Sequence, residues 1–256
     1  MNPLALLAID VPPISQVTIW GNGPLGLNKT IVIYGFATLA TIVVFLLGTR
    51  KKEALVPAGI FQNTAESGVA FVRNQVIMQT MGTDGLPYLP YLTALFFFIF
   101  FSNITEIIPA VQFPANARFA MPMTLALATW VIFNVVGVAR QGFGHYMKNS
   151  LVPPGVPAAL LVLVVPIEFI STFIVRPFSL MVRLFANMLA GHLILVTFSV
   201  ITAALWAPKI TVIIAPFSFA LLVAMTGFEI LVSFLQAFIF SILTAVYIGS
   251  SMHPDH

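Results

Sequence analysis

Arg176-Pro-Phe-Ser179-Leu-Met-Val-Arg183-Leu-Phe-Ala-Asn187-Met-Leu-Ala-Gly191-His192 lies in the middle of an apolar segment that runs from Ala158 to Leu205. No polar turn interrupts that segment. As one helix it would be ~70 Å long at ~1.5 Å per residue, whereas the hydrocarbon core of a bilayer is ~30 Å thick. It therefore reads as a strongly tilted membrane helix rather than an upright span. An arginine at the centre of such a helix costs roughly 2.5–3.5 kcal/mol to insert. Ionisable groups at that depth face a bundle interior or a water-filled cavity and mark ion or proton paths.

Arg183 and Asn187 are four residues apart and share a helix face. His192, nine residues beyond Arg183, lies about half a turn round from it. Ala186, Ala190 and Gly191 are small and let another helix approach closely. The run suits a charged barrier on one face and a proton-handling group on the other; it also suits a structural ion pair. A second long segment, Thr211 to Tyr247, follows the break Ala207-Pro208-Lys209 and would span ~55 Å as a helix. The two make a tilted hairpin over residues 158–248, with kinks expected at Pro166, Pro177 and Pro216. On its second arm Glu229, Ser233 and Gln236 form one stripe.

Composition agrees. The chain is 59% apolar and 7% charged, with mean hydropathy +1.03, against about 25% charged residues in a soluble domain. The expected class is an all-α polytopic membrane protein, one domain over residues 1–256. The eleven basic residues, net charge +3, are scattered apart from Arg50-Lys51-Lys52. That excludes a nucleic-acid surface, which needs a dense basic face. Without cysteine there is no disulfide framework, thiol nucleophile or Cys-based metal site. No metal-ligand spacing and no phosphate-binding glycine loop occurs, so no metal, cofactor or nucleotide chemistry is expected on this chain.

The remaining segments follow in order. Residues 1–28, broken by Pro3, Pro12, Pro13 and Pro24, read as an exposed tail with no cleavable signal. Thr30 to Gly48 is the first span, and Arg50-Lys51-Lys52 behind it marks the cytoplasmic end. Pro57 to Thr80 mixes Val69, Phe71, Val72 and Ile77 with Gln62, Asn63, Glu66, Arg73, Asn74 and Gln75. This pattern predicts an amphipathic helix on the cytoplasmic surface. Thr83 to Pro87 reads as a turn. Leu89 to Ile108 is the second span, its outer end carrying Ser102, Asn103, Thr105 and Glu106. On residues alone Glu106 is a solvated helix end. Phe119 to Ala139 returns as the third span into a cytoplasmic loop with Arg140, His145 and Lys148. The expected architecture is thus five membrane-crossing helices plus one surface helix, N-terminus outside and C-terminus inside. Six Lys and Arg fall between spans on the inner side and three on the outer, in keeping with that orientation.

The run 183–192 resembles the signature of subunit a of rotary F-type ATP synthases. The run from Glu229 through Gln236 and Thr244 to Tyr247 resembles that family's last helix, and the order of segments from about Thr30 onward is similar. The resemblance implies a stator subunit that conducts protons through two offset half-channels. Its expected partners are a ring of c subunits, the peripheral-stalk b subunits, the remaining subunits of the complex and membrane lipid. Catalysis of ATP synthesis would lie elsewhere in the complex. Arg183 matches the family's essential arginine. Asn187, His192, Glu229 and Gln236 match proton-path positions, with Glu106, Glu168, Arg176, Ser179 and Ser233 as further members. Well-known bacterial members hold glutamate at the His192 position and histidine at the Glu229 position. Their exchange here, as in mitochondrial members, implies a pair acting across the hairpin. One departure is the loop before the third span: members carry an acidic residue and an asparagine where this chain has Ala120-Met-Pro-Met-Thr124, so no proton-uptake role transfers to it.

The residues also leave open a secondary transporter with Arg183 as an anion site, which calls for inverted repeats and broken helices, and a structural membrane scaffold. A Met1 start without a transit peptide points to a bacterial plasma membrane, or to an organelle-encoded protein of the mitochondrial inner membrane.

Overall fold

The structure, a computed structural model, describes residues 18–20, 27–49, 60–108, 115–152, 156–206 and 213–252. The basic cluster at 50–52, the outer loop at 109–114 and the hairpin turn at 207–212 lie outside these residues.

Five helical segments are long and apolar enough to cross a membrane. The first is α1 (Lys29–Thr49). The second is α4 (Leu89–Ile104), entered through a 3-10 segment over Gly82–Tyr88 where the sequence reads as a turn. The third is α5 (Ala120–Gln141). The fourth joins α7 (Ala158–Ile170) to α8 (Arg176–Leu205) through a π-helical turn, Ser171–Val175. The fifth is α9 (Ala215–Met252). Large apolar side chains such as Val162, Phe178 and Phe217 stay exposed along these helices, as expected of surfaces that meet lipid rather than water.

The π turn lies just ahead of Pro177. Proline has no N–H to donate, and its ring collides with the carbonyl four residues back; a π turn is one of the recognised ways a helix absorbs that conflict. Pro216 behaves differently from expectation. It is the second residue of α9, in the first turn, where N–H groups have no intrahelical partner and proline is tolerated. It starts a helix instead of kinking one.

The segment between α1 and α4 is α2 (Ile60–Phe71), a π turn over Val72–Ile77 and the short α3 (Met78–Thr80). Ala65, Val72, Val76 and Ile77 are buried while Asn63, Arg73, Asn74 and Gln75 are exposed, so the segment has the two-faced character its sequence predicts. Its inner face belongs to the main core, with Leu92, Phe96 and Ile99 of α4, Phe133 of α5, Leu184 of α8 and Phe240 and Ile248 of α9. Phe71, Phe96 and Phe234 lock this junction with ring centroids 5.5–5.7 Å apart, a spacing at which aromatic pairs attract.

Two further features differ from the sequence reading. The tail contains a two-stranded antiparallel ribbon, β1 (Thr18–Trp20) paired with β2 (Leu27–Asn28), which runs directly into α1. The loop after the third span holds a helix, α6 (Phe143–Leu151), reversed against α5 at Gly142, whose φ of 79° favours glycine. Tyr146 of α6 packs on Gly137, where any Cβ would collide with the ring, and its hydroxyl donates to Asn134 Oδ1 at 3.0 Å.

Candidate proton path in the membrane helices

The hairpin of α8 and α9 is antiparallel, and four contacts set its register. The Arg176 guanidinium lies 5.4 Å from the centre of the Tyr247 ring. Asn187 Nδ2 donates to Gln236 Oε1 at 2.6 Å. Gly191 meets the Glu229 carboxyl, and Thr202 and Ser218 share a hydroxyl hydrogen bond of 2.8 Å. The register brings Asn187, Glu229 and Gln236 together around one open groove of about 340 Å³, which Ala190 and Gly191 also line. Glu229 is 4% exposed, and its Oε1 has no hydrogen-bond partner among the described residues.

Arg183 lies one turn before Asn187 on the same face and is half-buried. Among the described residues no carboxylate stands within ion-pair reach of it. Beside it the face continues through Ala186, Asn187 and Ala190, all exposed. This is a cation in an apolar setting, with a smooth strip of small residues where another helix can approach closely.

A separate cavity of about 230 Å³ lies on the other side of α8, lined by Glu106, His192, Ser199, Leu222 and Thr226. Here His192 Nδ1 is 3.3 Å from Glu106 Oε1. The sequence reading paired His192 with Glu229 across the hairpin. The structure gives the imidazole to Glu106, and Gly191 is the residue opposite Glu229. The reason is helix geometry. Consecutive residues turn by ~100°, so with Gly191 aimed at α9, His192 swings toward the end of α4. Glu106 is 2% exposed, no solvated helix end. The order of groups is therefore Glu106 with His192, then Glu229, then Asn187 with Gln236, then Arg183.

The other expected residues divide. Ser233 is fully buried one turn from Glu229, its hydroxyl without a partner among the described residues. Glu168, Arg176 and Ser179 are half-buried on the far side of Arg183 from His192, outside both cavities. Among the described residues no three His, Asp or Glu side chains converge as a metal site.

A polar cluster that sequence reading missed stands beside Glu106. A 3-10 turn, Ala115–Ala117, is wholly buried between α1, α4 and α8. Asn116 Nδ2 donates to Ser102 Oγ at 2.8 Å and to Asn103 Oδ1 at 2.6 Å. The Tyr34 hydroxyl approaches the Ala115 carbonyl at 2.7 Å and Asn116 Oδ1 at 3.1 Å. The available signal was Tyr34, a lone phenol in an aliphatic span. A buried phenol needs a hydrogen-bond partner.

Comparison with known proteins identifies the family of the chain. The profile of the ATP synthase A chain family matches residues 31–249. The chain is 45% identical over 238 residues to ATP synthase subunit a of Frankia alni, covering 92% of this chain and 81% of that one. It is 43% identical to the same subunit of Rhodococcus erythropolis, over 91% and 85% of the two chains. With that of Mesorhizobium japonicum it shares 39% identity over 98% and 100%.

Proposed function

Because this chain belongs to the ATP synthase A chain family, a multi-pass membrane subunit of F-type ATP synthases, we propose that it is the stator through which protons reach and leave a rotating ring of carboxylate-bearing subunits. The observation that carries this reading is Arg183: half-buried, without a carboxylate partner among the described residues, and on a face of small residues next to the Glu229 groove.

A ring carboxylate drawn along that face meets a fixed cation. An opposite charge within ~4–6 Å favours the ionised form, so the carboxylate gives up its proton there. Arginine suits the task because it stays charged throughout. The same charge repels protons and separates two half-channels. On one side, protons enter the cavity of Glu106 and His192, pass to Glu229, and reach the ring through the groove of Asn187 and Gln236. Imidazole and carboxyl groups can each take up and release a proton, which is what a relay through membrane helices requires. On the other side Ser179, Arg176 and Glu168 offer polar positions toward the opposite surface. By the distribution of Lys and Arg in the sequence, the Glu106 side is outer and the C-terminus cytoplasmic. The driving force is ~2.3 kcal/mol per proton for each 100 mV. The peripheral stalk would hold this subunit still while the ring turns.

The test is Arg183→Ala in the complete complex reconstituted in vesicles. Assembly is expected to survive and ATP-driven pumping to disappear, with passive leak in its place. Pumping at the wild-type rate would overturn the barrier role.

A further inference from the structure

The polar cluster behind Glu106 has a task that simple packing does not require. Asn103 and Asn116 are both fully buried, and Ser102 is 1% exposed. Asn116 spends its whole amide on neighbours: Nδ2 on Ser102 and Asn103, Oδ1 on Tyr34. In this arrangement Asn103 offers Oδ1 to Asn116. Asn103 Nδ2 is left buried with no acceptor among the described residues. Leaving a buried donor unmet costs ~1–3 kcal/mol, and buried polar groups rarely go without partners.

The Glu106 backbone N–H bonds to the Asn103 carbonyl at 3.1 Å, a three-residue turn. In such a turn side chains three apart eclipse one another. Glu106 Oε2 is buried with no hydrogen bond among the described residues, while Oε1 faces His192 Nδ1 at 3.3 Å. An unmet donor and an unmet acceptor thus stand three residues apart on one turn. We propose that Asn103 is the hydrogen-bond donor to the ionised Glu106 carboxylate, directly or through one water, and that Asn116, held by Tyr34, is the residue that positions it.

The proposal rests on the proton-conducting reading and supplies what the loop at 120–124 lacks. With no acidic residue there, the Tyr34–Asn116–Asn103 chain sets how readily Glu106 releases a proton. The other charged or titrating groups around it are His192 on α8 at 3.3 Å, Glu229 on α9, and Arg118, which follows the 115–117 turn and acts electrostatically on Tyr34 of α1. His192 and Asn103 favour the ionised carboxylate, and Glu229 opposes it when charged.

The experiment measures ATP-driven pumping by the reconstituted complex against pH on the outer side, with the subunit content of each preparation determined. A donor to the charged form favours ionisation, so without it Glu106 keeps its proton to higher pH. Asn103→Leu and Asn116→Leu should each move the limb of the pH profile assigned to Glu106 upward by about one unit, the worth of a hydrogen bond to a charged group. The double variant should move it no further, since both act through one donor. Tyr34→Phe removes one oxygen without changing packing and should move it the same way by less; it decides the matter if the leucine variants fail to assemble. Slower pumping with profiles at the wild-type position would make the cluster structural only and overturn the proposal. Glu106→Gln is the reference. If it keeps the wild-type limb, Asn103 has no charge to serve and the proposal fails, while the Arg183→Ala result judges the proton-conducting reading by itself.

Discussion

Gly191→Ala tests the hairpin register at its narrowest point. A Cβ built on Gly191 would lie within 3.0 Å of all three carboxyl atoms of Glu229, closer than real Cβ atoms come to anything. Glu229 is 4% exposed, so it has little open space into which to retreat. Two energies compete. Alanine is better than glycine in a helix by about 1 kcal/mol, and overpacking a buried site costs typically 1–3 kcal/mol. Net stability should therefore fall by no more than about 2 kcal/mol, and the subunit should still assemble. Proton transfer has no such compensation. A displacement of ~1 Å at a reacting group can cost on the order of 100-fold, so ATP-driven pumping should fall at least ~10-fold. Gly227→Ala is the control, because a Cβ there meets nothing within 4 Å; it should pump normally. Gly191→Ala combined with Glu229→Asp, one methylene shorter, should pump faster than Gly191→Ala alone, read as a double-mutant cycle. Wild-type pumping by Gly191→Ala, or an equal loss in Gly227→Ala, would refute the close contact as the reason for the glycine.

Two further outcomes follow from the fold. Gly137→Ala should lower the Tm and the yield of assembled complex, by about 1–3 kcal/mol less any helix gain, because its Cβ would collide with the Tyr146 ring; Gly137→Ala with Tyr146→Ala should recover part of that loss. For orientation, a cysteine replacing Lys209 should react with an impermeant reagent from outside and one replacing Lys148 only from inside; the reverse pattern would invert the half-channels.

The large features of this fold are legible because membrane physics leaves few choices. A backbone in lipid must satisfy its own hydrogen bonds, so apolar runs of span length become helices, and the absence of a polar turn between Ala158 and Leu205 correctly predicts one continuous helical segment. The amphipathic character of 60–80 was visible because that stretch mixes apolar with polar residues and is too polar to span. Pairwise contacts were less accessible. Placing His192 and Glu229 at similar depth required only arm lengths. Knowing that His192 turns to Glu106 required the rotation of α8 about its axis, which Gly191 against Glu229 and the core packing of Leu180 and Leu184 fix. Asn116 was unreadable for a related reason. Its partners Tyr34, Ser102 and Asn103 come from α1 and α4, and no local pattern announces that a three-residue turn will lodge between them.

The adjacency of Gly191 and His192 is the economical part of the design. One residue without a side chain lets the Glu229 carboxyl press against α8, and the next sends an imidazole through ~100° into a different cavity. Two adjacent positions on one helix thus face two compartments, separated by the thickness of that helix and of the Glu229 side chain. A longer spacing would leave an apolar gap that a proton crosses only with difficulty; a residue with a Cβ at 191 would push the carboxyl away from the helix. On the proposed path these two compartments would be successive stations, Glu106 with His192 in one cavity and Glu229 in the groove beyond it, where the Asn187–Gln236 bond lies on the side toward Arg183.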